Sequence, residues 1–232
     1  MSNILAIDTS TDACSAALSL AGEVHERFEI APRAHSQLIL PMVESLLAEA
    51  GVVLTQLDAI AFGCGPGSFT GVRIAAGITQ GIAFGADLPV VPVSTLAALA
   101  QGACDEFGAA HVLAALDARM HEVYWGAYRC GDDGIVQLQA EEGVYAPDRV
   151  PVPEPDQWQG VGSGWASYGA VLQARLAGRV TATHAQRHPR ARDVARLGAH
   201  GLQHGLAVSA EQALPVYLRN EVTWKKVASS KL

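Results

Sequence analysis

The first seven apolar positions set the pattern of the chain. Ile4 to Asp8 is an apolar run that breaks on Asp8-Thr9-Ser10-Thr11, turn chemistry at the end of a short strand. Cys14 to Leu20 and Val24 to Ile30 follow as two more strands, with Ala21-Gly22-Glu23 as a tight connection. Three strands with short joints predict an antiparallel meander. The period then changes. Leu38, Met42 and Leu46 lie on one i+4 row, and Ile39, Val43 and Leu47 on the row beside it, so 38–50 predicts a helix with Ser36 as its cap. Pro41 lies late for a first turn, so the helix starts nearer to it or bends there. Ala59 to Cys64 reads as a buried strand, Phe69 to Gly85 as a helix, Leu88 to Val93 as a strand, and Thr95 to about Glu106 as a helix capped by Ser94. The order β-β-β-α-β-α-β-α predicts a sheet that begins antiparallel and turns parallel.

Phe107-Gly108 is the expected lobe boundary, dividing an N-terminal lobe (1–108) from a C-terminal lobe (109–232). The second half restarts with strands at His111–Leu116, Glu122–Arg129 and Gly134–Gln139. Pro147 to Pro155 carries four prolines and reads as a loop or sheet edge. A strand ends at Gly162-Ser163-Gly164, and 168–176 and 191–204 are helical by pattern. The last segment, from Pro215, is expected to pack back on the first lobe. No repeat with a period of 20–50 residues is visible.

Half of the 232 residues are hydrophobic and 17% are charged, which excludes intrinsic disorder. The apolar stretch 74–93 is interrupted by Thr79, Gln80, Asp87 and glycines, so no membrane span is expected. The first Arg or Lys is Arg27, so no secretory leader is expected either. Cys14, Cys64, Cys104 and Cys130 form no CxxC pair and are expected as reduced thiols. Charge is uneven. Residues 1–108 hold three basic and eleven acidic residues, a net of −8, whereas 109–232 hold thirteen and twelve, a net of +1. An acidic first half is a poor surface for a phosphate backbone. Any basic patch must come from Arg175, Arg179, Arg187, Arg190, Arg192 and Arg196, or from Lys225, Lys226 and Lys231. Such a run is either a solvated face or a contact to RNA or an acidic partner.

The glycine-rich turn Gly65-Pro66-Gly67-Ser68 enters a helix, where free N–H groups suit an anion. It is neither a Walker loop nor a nucleophile elbow, and Ser68 can equally be a plain cap. Asp8 is either a nucleotide or metal carboxylate or the head of an Asx-turn. In the following helix Gly77, Gly81 and Gly85 share one i+4 row beside Ile74, Ile78 and Ile82. Interior glycines cost ~1 kcal/mol each against alanine, so close approach of another backbone, from this chain or a second subunit, is expected to compensate. His184/His188 and His200/His204 have i, i+4 spacing, but neither is HExxH and no third ligand is near.

Together, Ile7-Asp8-Thr9-Ser10-Thr11, Ala34-His35-Ser36-Gln37, Gly65 to Arg73, Pro92-Val93-Ser94-Thr95-Leu96 and Leu214 to Arg219 resemble the TsaB (YeaZ) family. The resemblance covers essentially the whole chain and is densest in 1–108. It implies an α/β, actin-like ATPase (ASKHA) fold of two ribonuclease-H-like lobes with mixed sheets flanked by helices. It implies a cytosolic, non-catalytic relative of TsaD that works with TsaD and the ATPase TsaE to place threonylcarbamoyl on adenosine 37 of ANN-decoding tRNAs. ATP and a metal would then belong to the partners, with tRNA reached through the complex. The metal-ligand histidines of TsaD correspond here to Thr95 and Leu99; leucine cannot ligate, and threonine is a poor ligand for a transition metal. The resemblance also implies a pairing surface, to TsaD or to a second copy, at Leu38, Met42, Leu46, Ile74, Gly77, Ile78, Gly81 and Gly85. Two alternatives remain open: a glycoprotease-like hydrolase and a sugar or acyl kinase.

Overall fold

The computed structural model describes residues 2–154 and 157–219. Its first sheet takes β1 (Ile4–Asp8), β2 (Ala13–Leu20), β3 (Glu23–Ile30), β4 (Ala59–Gly65) and β5 (Val90–Ser94) in the order β3-β2-β1-β4-β5. β1, β2 and β3 pair antiparallel, and β4 and β5 add in parallel. Helices α1 (His35–Ala50), α2 (Phe69–Ala86) and α3 (Thr95–Phe107) make the intervening connections. β1 is buried at every position because both faces are covered. Leu5 and Ile7 point into a core with Ile39 and Val43 of α1 and Ala75 and Ala76 of α2. Ile4 and Ala6 point the other way, onto α5 (Ala191–Gln203), with Val194 and Ala195. α5 therefore lies on the first sheet. Gly198 abuts Ala61 there, and the Val90 and Val208 backbones then exchange both hydrogen bonds, at 2.9 and 2.8 Å.

The second sheet contains β6 (His111–Asp117), β7 (Val123–Cys130), β8 (Val136–Leu138), β10 (Trp158–Val161) and β11 (Val180–His184) in the order β8-β7-β6-β10-β11. β9 (Gly143–Tyr145) pairs with β7 on the side. Hairpin strands, then parallel strands on the far side of the first, repeat the arrangement of the first sheet. α3 packs on one face through Leu96, Leu99 and Ala103, and α4 (Ser163–Leu176) on the other through Trp165, Leu172 and Leu176. Two mixed sheets of one topology, each flanked by helices, are the two-lobed actin-like ATPase fold.

The structure departs from sequence expectation locally. Ser36 does not cap α1; the helix begins at His35, whose ring is drawn inward to donate to the Thr11 carbonyl at 2.8 Å. Pro41 lies inside α1 on its exposed side. Ser94 does cap α3, accepting from Leu96 N and Ala97 N. Within the proline-rich stretch, 147–149 form a single 3₁₀ turn, and Pro155 lies outside the described residues. Cys104 and Cys130, expected as reduced thiols, form a disulfide, because the fold brings their Cα atoms to 6.1 Å. Cys14 and Cys64 are free and buried.

Candidate functional site: the interlobe cleft and the face of α2

Between the lobes opens a cleft of about 580 Å³. Its first-lobe wall is the β1–β2 turn at Thr11 and Asp12 together with Gly67 to Phe69 at the head of α2. Its second-lobe wall is the β6–β7 hairpin at Asp117 to Met120 and the start of α4 at Ser163. Gly67 and Ser68 thus reach the cleft, and the loop is tied to the β1–β2 turn. Ser68 N donates to the Ser10 carbonyl at 2.7 Å. A Cβ on Gly67 would sit 2.3 Å from that carbonyl oxygen, and one on Gly71 would sit 2.0 Å from the Thr9 carbonyl oxygen. Thr9 Oγ1 in turn donates to the Gly71 carbonyl at 2.7 Å. These two glycines allow the head of α2 to lie directly on the β1–β2 turn. Of the N–H groups at the head of α2, that of Ser68 is taken by the Ser10 carbonyl and that of Gly71 by the Ser68 hydroxyl.

Asp8 does not line the cleft. It is fully buried, and its Oδ1 accepts from Ser10 N at 3.0 Å and Ser10 Oγ at 2.8 Å, an Asx-turn. Its Oδ2 has no hydrogen-bond partner and faces Gly63, where a Cβ would come within 1.9 Å. Burial pushes the carboxyl up to about 6, while the Ser10 hydrogen bonds and His35 pull it down. Gly65 faces the chain's last segment, not the cleft. In the cleft itself Asp117 is engaged: Oδ1 accepts from Arg119 N at 2.8 Å, and Oδ2 lies 3.5 Å from the Arg119 guanidinium.

Thr95 and Leu99 do not fit a metal. Thr95 is buried with its hydroxyl unpartnered, and Leu99 packs in the core of the second lobe against Gly162. A lone hydroxyl beside hydrocarbon is no coordination sphere. Among the described residues no group of three or more His, Cys, Asp or Glu side chains is placed to hold a metal ion. His184 stacks on Phe107 with centroids 3.6 Å apart and bonds Gln159, while His200 and His204 stack on each other.

Next to Thr95 lies a polar cluster that sequence reasoning missed. Glu142 accepts from both Ser94 Oγ and Tyr128 Oη. Burial raises the Glu142 carboxyl, and the two hydroxyls pull it down. The cluster ties the cap of α3 to the second sheet. Its signal was unreadable because the three residues are far apart in sequence and belong to no motif.

The arginine cluster of the second half is turned inward to acidic partners. Arg190 pairs with Glu26, Arg187 and Arg192 with Glu106, Arg196 with Asp105, and Arg179 with Glu154. Arg175 donates to the Val150 carbonyl. Three first-half acids, Glu26, Asp105 and Glu106, thereby take up four of these arginines. Lys225, Lys226 and Lys231 lie outside the described residues.

On α2, Gly77, Gly81 and Gly85 are exposed, and a Cβ on any of them would meet nothing within 4 Å. Among the described residues, no packing compensates for three glycines on one row. Phe84 beside them is 75% exposed. Ile74 and Ile78, like Leu38 and Met42 of α1, are half-buried at the margin of the core. Leu46 does not belong with them: it is 1% exposed and packs under α1, because Ile39, Val43 and Leu46 form the row that faces the sheet.

Comparison with known proteins agrees with this two-lobed class. The family model described as "TsaD: tRNA N6-adenosine threonylcarbamoyltransferase" matches residues 23–227. The tRNA threonylcarbamoyladenosine biosynthesis protein TsaB of Escherichia coli is 46% identical over 97% of both chains. That of Haemophilus influenzae is 44% identical over 97% of this chain and 96% of its own. The solved structure of YeaZ from Pseudomonas aeruginosa is 50% identical, covers 94% of this chain and 100% of its own, and superposes with a TM-score of 0.88. The chain belongs to the TsaB family of tRNA threonylcarbamoyladenosine biosynthesis proteins.

Proposed function

We propose that this protein is a cytoplasmic, non-catalytic scaffold subunit of the tRNA threonylcarbamoyladenosine machinery. Through α1 and α2 it holds a homologous subunit, TsaD in the working complex or a second copy of itself when alone. TsaE completes the assembly, and ATP, the metal and the tRNA are engaged by the partners. The observation that carries this reading is the exposed row Gly77, Gly81, Gly85 with open space above it. These interior glycines carry a cost that nothing among the described residues offsets, and a second backbone lying along the row would offset it. Further support comes from Thr95 and Leu99, which offer no ligand set. No helix among the described residues is long and apolar enough to cross a membrane. A hydrolase reading is less well supported, since Ser68 Oγ serves as helix cap to Gly71 N.

The test is reconstitution. Pure protein with threonylcarbamoyl-adenylate and tRNA is expected to modify nothing, and adding TsaD, TsaE and ATP is expected to give multi-turnover modification that ceases when this chain is omitted. Turnover by this chain alone, or undiminished turnover without it, overturns the reading.

A further inference from the structure

The lobes are welded together on one side and open on the other. On the welded side α3 is shared between the two cores, α5 lies on the first sheet, and Glu142 joins Ser94 to Tyr128. On the open side lies the cleft, and one segment crosses its rim. After α5 the chain runs back over the first lobe and is pinned to it repeatedly. Val208 pairs with Val90, the Ala213 carbonyl accepts from Gln80 Nε2 at 3.2 Å, and Val216 N donates to the Cys64 carbonyl at 2.7 Å. The fit at Val216 is close: its carbonyl oxygen would lie 2.5 Å from a Cβ on Gly65, which also has φ +116°. Tyr217 Oη accepts from Arg73 Nε at 2.8 Å, and its ring lies 5.7 Å from Phe69. Two residues later the chain reaches the other lobe. The Arg219 guanidinium forms an ion pair with Glu122 and donates to Met120 Sδ at 3.5 Å.

The hairpin it reaches is unusual. Arg119, Met120 and His121 have φ of +61°, +54° and +61°, three successive non-glycine residues in the left-handed region. Such conformations cost energy and persist where surrounding contacts hold them. The Arg219 pair itself is partly exposed, at 22% and 36% for the two side chains, so it is weak enough to break.

We propose that residues 206–219 form a strap anchored on the first lobe whose end, Arg219, is a releasable latch across the cleft. Its ion pair with Glu122 holds the strained β6–β7 hairpin against the first lobe, and its release lets the cleft widen. The latch is also linked to the face of α2. Arg73, which holds Tyr217 and stacks 3.8 Å above Phe69, begins the i+4 row that continues through Gly77, Gly81 and Gly85. A second molecule lying on that row meets the residue that positions the strap; this link rests on the docking reading above, whereas the latch does not.

Hydrogen exchange measured by mass spectrometry on the full chain tests both parts. At a concentration where the protein is monomeric, Arg219→Ala and Glu122→Gln are each expected to raise exchange in 118–123 about threefold, consistent with an exposed pair. Exchange in α3 and α5 should stay unchanged. The double variant should add nothing to either single one, and the swap Arg219→Glu with Glu122→Arg should restore protection. Unchanged exchange in 118–123 in both single variants overturns the latch, as does a uniform rise across the chain. Raising the concentration until the protein self-associates tests the link. Protection along 73–85 with altered exchange in 118–123 in wild type, but not in Arg219→Ala, supports it. Protection along 73–85 with 118–123 unmoved removes the link and leaves docking standing. No protection along 73–85 on association removes the docking surface itself.

Discussion

Asp193 stands on the first turn of α5, 4% exposed, with its Oδ2 directed at the place a Cβ of Gly102 would fill. Burial pushes its carboxyl up to about 7; Arg192 and Arg190 pull it down, and Glu26 and Asp105 push it further up. The sign of the consequence follows. A carboxyl raised above its unfolded value of 3.8 binds a proton in the folded chain where the unfolded chain has lost it. Stability from that proton is present at low pH and is lost as pH rises through the window from about 4 to 7. Asp8, raised to about 6, acts with the same sign. Asp193→Asn is therefore expected to flatten the fall in melting temperature between pH 5 and 7.5, leaving the smaller slope due to Asp8. The gain over wild type at pH 7.5 should be on the order of 2 kcal/mol, or about 4–8 °C. A melting series in which the variant and the wild type keep a constant gap at all pH values would count against this account. Neither shift was legible in the sequence. Asp8 stood out as a strand-end carboxylate, and its burial depends on Gly63 and His35, residues that only the fold brings beside it.

At the scale of elements, most of what the sequence predicts is present, and the failures share a cause. β1 to β5 and α1 to α3 were readable because each has a strong period or a clean cap, as at Ser94. β11 was missed because Val180 to His184 is an edge strand with three exposed residues and no alternation, and β9 because it has only three residues. α5 was legible as a helix, but its position on the first sheet was not, since nothing local marks which sheet a helix covers. In the structure that position depends on Gly198, where a Cβ would come within 2.4 Å of Ala61 Cβ on β4. Gly198→Val is expected to push α5 off the sheet by overpacking and to cost about 1–3 kcal/mol or more in urea unfolding, with an unchanged m-value. A substitution at Gly178, where nothing lies within 4 Å but φ is +82°, is a useful contrast: its cost should come from backbone strain without disturbing α5.

At the scale of the whole molecule, two lobes of one topology enclose a cleft, and two of the groups at its walls make contacts within the chain. Ser68 N at the head of α2 donates to the β1–β2 turn, and Asp117 holds its own hairpin. The docking row was legible as a row, since three glycines four apart are visible in any listing of the sequence. Its outward direction was not, because a glycine row packed on the sheet gives the same pattern. The open space above Gly77, Gly81 and Gly85 separates the two cases, and it removes Leu46 from the surface while keeping Leu38 and Met42 at its margin. If a second backbone lies along that row, a side chain at its centre must block the approach without disturbing the fold. Gly81→Leu adds bulk only on the solvent side, so the monomer should keep its melting temperature or gain slightly from the better helix former. Association should weaken by roughly 1–3 kcal/mol, about 5- to 150-fold in the dissociation constant, in sedimentation of the chain alone and in titration with TsaD. Modification of tRNA in the reconstituted system should fall with TsaD binding and recover at high concentration of the variant, because the defect is in assembly. A variant that assembles normally would place the interface elsewhere, and one that assembles but does not support turnover would give this chain a part in the chemistry.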